Sequence, residues 1–239
     1  MSPHTHLSAR HHNGASRTRR VAIFGGSFDP VHIGHLAVAL AAQRRFHLEE
    51  IHFVPCGRPP HKMKHELAPF LHRYAMVSLA SAEHRHLVAS LAEAGHDHSG
   101  RHVHYSVDTV RHFRQASRHA GHHLYFITGA DAFLELPTWK NYETLLDLCE
   151  IIVVSRPGFR LDALRLVIPP EMLRRPDPHC PPLDRRAIAL RKSSIHLLDT
   201  VHSTVSATEI RRRIHRRQSI NGLVPPRVEE YIHKQALYL

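Results

Sequence analysis

Short apolar runs and longer amphipathic stretches alternate along this chain. Short runs rich in Val, Ile, Leu and Phe predict strands, whereas apolar residues spaced three or four apart predict helices. The predicted strands are Val21–Phe24, Ile51–Pro55, Leu87–Ser90, Leu124–Thr128, Ile151–Ser155 and Ile195–Leu198. The predicted helices are Ile33–Phe46, Phe70–Ala82, Ser106–Gln115, Tyr142–Leu148, Leu161–Val167, Thr208–Arg216 and Arg227–Leu237. The alternation predicts a Rossmann-like, doubly wound α/β fold, with a mainly parallel sheet, helices on both faces and ligands beyond the carboxyl ends of the strands.

The polar segments divide the chain into an arm and one domain. Residues 1–19 are mostly Ser, Arg, His and Asn, so we expect a basic, His-rich arm that is disordered. The remaining residues, 20–239, are enough for a single α/β domain with a substantial core. Two segments interrupt its rhythm. Pro55–Pro69 contains Gly57–Lys62, a stiff basic loop after the second strand, and Pro169–Pro182 is rich in Pro and Arg and is expected on the surface.

Composition narrows the class of protein further. No apolar run approaches the roughly 20 residues that span a bilayer, and the basic amino terminus lacks the apolar stretch of a secretory signal. The three cysteines are widely spaced without a C-x-x-C pair, which favours a cytoplasmic protein over a disulfide or zinc framework. The 26 histidines lack a repeated ligand spacing and are interpreted as mainly solvated, with metal storage as the weaker alternative.

The net charge of +11, counted with neutral histidines, is compatible with an anionic partner. Nucleotides satisfy it, and so does nucleic acid through counterion release. The basic residues gather in the arm and in Arg211–Arg217, without the interleaved aromatic residues of a single-strand platform. A nucleic-acid-binding protein therefore stays as the alternative from a different class, although we expect neither a nucleic-acid nor a membrane partner.

The first candidate site follows the first predicted strand. Gly25 and Gly26 interrupt the apolar run, and His32 and His35 then stand where the first helical pattern begins. Paired glycines let backbone N–H groups approach a ligand, and a helix amino terminus favours phosphate. Two imidazoles three residues apart on the first turn share a face. Alone, the glycines could form a tight turn and the histidines could be surface residues, but together they predict a nucleotide-phosphate site.

A second candidate site lies near the end of the chain. Ser206 can cap a helix whose first turn carries Thr208 and Arg211, so hydroxyls, backbone donors and a guanidinium would face an oligophosphate. The alternative is an ordinary capping box that Ser206 and Glu209 would close.

Further candidates lie between these two sites. Asp131 follows a predicted strand and is placed to accept hydrogen bonds from a ribose. Trp139, the only tryptophan, either stacks on a pyridine ring or fills the core with its indole N–H satisfied. Arg156 ends another predicted strand, as either a phosphate clamp or a surface charge.

These motifs resemble those of the nucleotidyltransferase superfamily that carries H-x-G-H. The first run matches at Gly25, Gly26, Phe28, Asp29, Pro30, His32, Gly34 and His35, and the second, Ile-Ser-x-Thr-x-Ile-Arg, matches except that Val205 replaces its first Ile. With Pro59-Pro-His-Lys62, Tyr105-Ser-Val-Asp-Thr109 and Leu136-Pro-Thr-Trp-Lys140, residues 20–239 are similar to the bacterial nicotinate-nucleotide adenylyltransferases. That family transfers AMP from ATP to nicotinate mononucleotide, with Mg²⁺, and releases pyrophosphate.

The resemblance also implies roles for individual residues. The ATP site would comprise Gly25, Gly26, Ser27, Phe28, His32, His35, Ser206, Thr208 and Arg211, with His32, His35 and Arg211 catalytic. Ser106, Trp139 and Lys140 would surround the nicotinate, Asp131 would bind a ribose, and His61, Lys62 and Arg156 would contact the phosphate side of the mononucleotide. Position 106 often holds Thr in this family, whereas this chain has Ser106.

The residue types also suggest a mechanism. No Cys, Ser or Lys is paired with a base as a nucleophile would be, and the phosphate of the substrate is itself a nucleophile. We therefore expect direct in-line displacement, with charge-assisted donation from His32, His35 and Arg211 and with Mg²⁺ accompanying ATP. The runner-up within the superfamily is another adenylyl- or cytidylyltransferase, such as one acting on pantetheine phosphate.

Overall fold

One seven-stranded sheet organises the chain in a computed structural model, which describes residues 18–57, 67–94, 104–116, 122–155, 158–175, 184–201 and 203–239. The strands are β1 (Arg20–Gly26), β2 (Glu50–Pro55), β3 (Leu87–Ala89), β4 (His123–Gly129), β5 (Glu150–Val154), β6 (Ala187–Ala189) and β7 (Ser194–Leu198). Their order is β3-β2-β1-β4-β5-β7-β6, and every neighbouring pair is parallel except β6 with β7.

Helices cover both faces of this sheet. They are α1 (Ile33–Phe46), α2 (Phe70–Ser81), α3 (Ser106–Ala116), α4 (Ala130–Leu134), α5 (Tyr142–Leu148), α6 (Leu161–Arg165), α7 (Ala207–His215) and α8 (Pro226–Lys234). Alternate residues of a strand point to opposite faces. Ala22 and Phe24 of β1 accordingly join a core with α1, α2, α7 and α8, whereas Val21 and Ile23 join a core with α3 to α6. The predicted doubly wound α/β fold is confirmed.

Short elements account for most differences from the predicted structure. Strand β6 and helix α4 were not predicted, because three and five residues carry too little periodicity to detect. Two 3₁₀ turns, Leu136–Thr138 and Pro170–Met172, were missed for the same reason. Helix α8 ends at Lys234 and not at Leu237, since Ala236 has a φ of 51° and turns the chain out of the helix.

The order of the strands places a crevice beside β1. From β1 the chain continues to β2 on one side, while β4 and β5 lie on the other. Connections that diverge in this way leave a gap at the carboxyl ends of the two central strands, which is where open α/β sheets bind ligands. Gly25 and Gly26 end β1 at this edge, and Gly129 ends β4.

Part of the predicted arm and three predicted site residues fall outside the residues that the structure describes. Residues 1–17 of the expected arm lie outside the described residues, as do the predicted site residues His61, Lys62 and Arg156. Among the helices that are described, none combines the length and the apolar character needed to cross a bilayer.

Candidate active site

A cleft of about 460 Å³ opens at the switch point between β1 and β4. One side carries Gly25, Gly26 and Ser27, which follow the first predicted motif. The other side carries Tyr105, Ser106, Thr138, Trp139 and Lys140. The fold thus brings residues that were separately expected to contact ATP and nicotinate into one cavity.

We call the first side, together with the neighbouring His32, His35 and Arg211, the motif wall. The second side, formed by Tyr105, Ser106 and Thr138–Lys140, is the Trp139 wall. Among the residues that line the cleft itself, the motif wall contributes its glycine turn, whereas His32, His35, Ser206, Thr208 and Arg211 are not part of the lining. His32 and His35 follow the turn at the start of α1, whereas Ser206, Thr208 and Arg211 lie at the start of α7.

Two of the three glycines in the first motif, Gly26 and Gly34, stand where a side chain would collide with a neighbour. A Cβ on Gly26 would lie 3.1 Å from the ring of Phe28, a buried residue whose φ of 48° folds the chain back over the turn. A Cβ on Gly34 would lie 2.7 Å from Oγ of Ser203 and 3.0 Å from the His32 ring. The contact of Gly34 with Ser203 joins the two motifs, because Ser203 belongs to the loop that leads into the second motif. Gly34 therefore allows the two motifs to approach each other.

The two histidines of the motif wall stack on each other. Their ring centroids are 3.7 Å apart, with His32 as the N-cap residue of α1 and His35 on its first turn. The backbone N–H of His32 donates to Nδ1 of His35 over 3.2 Å. In the neutral imidazole of His35 the proton is therefore on Nε2, which makes this nitrogen a hydrogen-bond donor.

The charge expected on these histidines is absent in the ligand-free chain. Burial lowers the pKa of His32 to about 4, and burial followed by the proximity of His32 lowers the pKa of His35 well below its usual value. Both rings are therefore neutral at pH 7 in the ligand-free chain, and charge-assisted donation from them to bound phosphates stays a prediction. Each ring still offers a neutral N–H donor.

The second motif lies at the start of α7, where Ser206 is the N-cap residue. Oγ of Ser206 accepts a hydrogen bond from the backbone N–H of Glu209 over 3.2 Å. The reciprocal half of a capping box is missing, since the Glu209 carboxylate contacts Arg212 and Arg213. Ser206 is thus a helix cap, and Thr208 accepts a 3.4 Å hydrogen bond from Arg211.

Arg211 links the second motif to the first. Its Nη1 donates to the backbone carbonyl of Asp29 over 2.6 Å and lies 3.7 Å from the Asp29 carboxylate. Asp29 is only 1% exposed, so this contact across 182 residues is largely shielded from water. The guanidinium is consequently fixed beside the glycine turn before any ligand arrives.

A buried arginine that was not predicted from the sequence connects the loops of the motif wall. Arg73 of α2 is 2% exposed and donates to the carbonyl oxygens of Ser27 (2.9 Å), Ala68 (2.8 Å) and Gly57 (3.5 Å). It thereby ties the loop after β1 to the loop after β2. The available signal was its position on the apolar face of α2, where Phe70, Arg73 and Val77 recur at helical spacing.

The Trp139 wall is held by more exposed contacts. Trp139 packs edge-to-face on Phe126 of β4, with ring centroids 6.2 Å apart, and remains partly exposed at the cleft. Nζ of Lys140 lies 4.2 Å from the Tyr105 ring centroid and 3.5 Å from the Asp108 carboxylate. Ser106 begins α3, so the first N–H groups of that helix have no carbonyl partner within it.

A second residue missed from the sequence is Glu93, which also lines the cleft. Its carboxylate accepts hydrogen bonds from the Thr109 hydroxyl (2.6 Å) and the Gly57 N–H (3.2 Å). Glu93 therefore joins the loop after β2 to α3. Asp131 differs from its expected position at a strand end: it lies exposed on the first turn of the unpredicted α4 and does not line the cleft.

Fold and site together define an α/β nucleotidyltransferase, with a glycine turn and a helix amino terminus at the switch point of a parallel sheet. The model of one family, described as cytidylyltransferase-like, matches residues 23–213. A protein from Moorella thermoacetica named "Probable nicotinate-nucleotide adenylyltransferase" is 41% identical over 228 residues, covering 95% of this chain and 94% of that protein. A Thermoanaerobacter protein of the same name is 35% identical, with 93% and 95% covered. The chain belongs to the cytidylyltransferase-like family, within its nicotinate-nucleotide adenylyltransferase branch.

Solved structures support the fold. The Plasmodium falciparum nicotinic acid mononucleotide adenylyltransferase complexed with NaAD superposes with a TM-score of 0.67 at 20% identity, covering 92% of this chain and 97% of that one. A structure of the Plasmodium protein complexed with APC gives a TM-score of 0.62 at 18% identity, with the same coverage.

Proposed function

We propose that this chain transfers AMP from ATP to nicotinate mononucleotide, forming nicotinate adenine dinucleotide and pyrophosphate in NAD biosynthesis. The observation that carries the proposal is the single cleft in which the glycine turn of the first motif faces Trp139 and Lys140. Membership of the adenylyltransferase branch agrees with it, and the Plasmodium structure complexed with NaAD has the same fold.

The motif wall suits the triphosphate of ATP. Backbone N–H groups at Gly25–Ser27, the amino end of the 14-residue α1 and the fixed guanidinium of Arg211 all favour anions. His35 adds a neutral Nε2–H donor. Because these groups are held by the fold, little reorganisation is needed as negative charge shifts toward pyrophosphate in the transition state.

The reaction needs no nucleophile from the protein. An oxygen of the mononucleotide phosphate attacks the α-phosphorus of ATP, the new P–O bond forms, and the bond to the β-phosphate oxygen breaks with its electron pair leaving on pyrophosphate. The Cys56 thiol lines the cleft, but burial raises its pKa, so it stays protonated at neutral pH. Positioning two anions and stabilising the leaving group are the tasks left to the chain.

Mg²⁺ would enter with ATP as part of the substrate. Within the described ranges, no three His, Cys, Asp or Glu side chains form a group that could hold a metal ion. At sites of this kind Mg²⁺ is commonly held mainly by substrate phosphates. When bound, the ion would neutralise the β- and γ-phosphate oxygens.

The Trp139 wall suits the nicotinate ring. The indole of Trp139 can stack on a pyridine, while the first N–H groups of α3 at Ser106 and the backbone near Lys140 can donate to its carboxylate. A carboxylate only accepts hydrogen bonds, whereas an amide would turn its NH₂ toward these donors. This mismatch favours the acid over the amide.

A pyrophosphate-release assay tests the proposal. Purified chain is incubated with MgATP and, separately, nicotinate mononucleotide, nicotinamide mononucleotide or pantetheine phosphate, with an acceptor-free control. We expect turnover with nicotinate mononucleotide and a kcat/KM roughly 100-fold lower with the amide. Equal use of both mononucleotides would contradict the carboxylate site, and preferential use of pantetheine phosphate would contradict the proposed function.

A further inference from the structure

The last residues of the chain return to the active-site edge of the sheet. Beyond α8, Ala236 and Tyr238 have φ angles of 51° and 65°, a left-handed conformation that is uncommon for residues other than glycine. The N–H of Leu237 donates to the carbonyl of Ile232 over 3.1 Å, which closes the turn. Leu237 and Tyr238 then pack against the core shared by α1, α2, α7 and α8. The turn thus directs the Tyr238 side chain inward.

The hydroxyl of Tyr238 contacts the first motif. It donates to Oδ1 of Asp29 over 2.8 Å, a contact across 209 residues, and the same oxygen accepts from the Ala68 N–H over 3.2 Å. Burial and the adjacent Asp29 carboxylate raise the pKa of Tyr238, so it remains a protonated donor at any pH the protein would meet. Asp29 therefore receives donors from three parts of the chain: Tyr238, Ala68 and Arg211.

We propose that Tyr238 is a positioning residue of the ATP site: its hydroxyl fixes Asp29, whose backbone carbonyl and carboxylate in turn hold Arg211. The geometry gives each link: Tyr238 binds one carboxylate oxygen, and Nη1 of Arg211 lies 3.7 Å from the other and 2.6 Å from the Asp29 carbonyl. This inference rests on the proposed function, because it assumes that Arg211 contacts the ATP phosphates.

A second tyrosine of the same region provides a matched control. Tyr231 of α8 also has a hydroxyl engaged across the core, but its partner is Nδ1 of His72, at 2.9 Å on α2, and not the first motif. Changing either tyrosine to phenylalanine removes one hydroxyl and keeps the ring. Each variant therefore loses the hydrogen bond of one hydroxyl, and only Tyr238→Phe affects the contact with Asp29.

The test first measures the dissociation constant for MgATP in the absence of mononucleotide. It then measures the KM for ATP and the KM for nicotinate mononucleotide. For Tyr238→Phe we expect roughly tenfold weaker MgATP binding, because a hydrogen bond to a charged group is lost, with KM for nicotinate mononucleotide changed less than about twofold. Tyr231→Phe should leave both MgATP binding and the KM for nicotinate mononucleotide within about twofold of wild type. MgATP binding equal to wild type in Tyr238→Phe, or equally weakened in both variants, would overturn the proposal.

A double-mutant cycle separates positioning from packing. If Tyr238 acts through Asp29 on Arg211, Tyr238→Phe should weaken MgATP binding less than about twofold when Arg211→Ala is already present. A full additional tenfold loss in that background would show that Tyr238 acts independently of Arg211 and would overturn the proposal. If Tyr238→Phe does not fold, Asp29→Asn tests the same link from its other end, and unchanged MgATP binding there would overturn it.

The outcomes also separate this inference from the proposed function. Wild-type chain that binds MgATP and transfers AMP, while Tyr238→Phe matches it, refutes only the role of Tyr238. Wild-type chain that transfers no AMP to nicotinate mononucleotide refutes the proposed function, and with it the inference.

Discussion

Along the motif wall the polar contacts are buried and join distant parts of the chain, whereas along the Trp139 wall they are exposed and more local. Arg73 and Asp29 are 2% and 1% exposed and connect loops that follow different strands. Lys140 and Asp108, by contrast, form an ion pair in which both side chains are nearly half exposed. Water screens the second kind of contact and hardly reaches the first.

This difference suggests that the two walls bind different parts of the substrates. A triphosphate carries several negative charges, so its donors gain from being fixed and shielded before the ligand binds. A flat aromatic ring is bound mainly by stacking, for which a partly exposed indole is sufficient. The comparison predicts that changes at the motif wall affect the fold and catalysis, while changes at the Trp139 wall affect the affinity for one substrate.

The largest effect is expected from removing the buried guanidinium. Arg73→Met leaves the carbonyl oxygens of Ser27, Ala68 and Gly57 without this donor, and each buried unpaired group costs about 1–3 kcal/mol. We expect the free energy of unfolding, measured in urea, to fall by about 3 kcal/mol or more. Arg85→Met, at an exposed arginine, is the control and should change it by less than about 0.5 kcal/mol. A similar fall in the free energy of unfolding in both variants would contradict the claim that buried contacts stabilise the motif wall.

Next in size is the loss of a catalytic donor. His35→Ala removes the Nε2–H that we place toward the phosphates, and losing one such donor lowers the rate by roughly 10²–10³. We expect kcat to fall by this factor in a variant that still folds and unfolds cooperatively. His215→Ala, at an exposed histidine of α7, serves as the control and should keep full turnover. A folded His35→Ala variant with near-normal kcat would mean that the motif wall does not take part in catalysis as described.

The sequence predicts the sheet and the motifs better than it predicts their connections. Six strands and the full extent of α1 and α5 follow from apolar periodicity, because long runs bury regular faces. The link from Arg211 to Asp29 spans 182 residues, and nothing local in either segment indicates it. Arg73 could have been suspected from its place on an apolar helix face, whereas its three carbonyl partners depend on loops that only the fold brings together.

For the two histidines of the motif wall, the sequence predicts the arrangement of the rings but not their charge. Their spacing predicts that His32 and His35 share a face, and the rings do stack. Their charge could not be predicted, because it depends on burial at the start of α1, which lowers the pKa of both. Ser206 is a similar case: its capping role follows from its position, while the pairing of Glu209 with Arg212 and Arg213 depends on side-chain packing.

The most direct test of the two-wall account is the pair of KM values in Trp139→Ala. Loss of a stacking partner should raise KM for nicotinate mononucleotide roughly tenfold and leave KM for ATP within about twofold. Trp139→Phe, which keeps an aromatic face, should recover part of the loss. If Trp139→Ala instead raises both KM values equally, or unfolds well below the wild-type temperature, then Trp139 is a core side chain and the division of the cleft between two substrates is wrong.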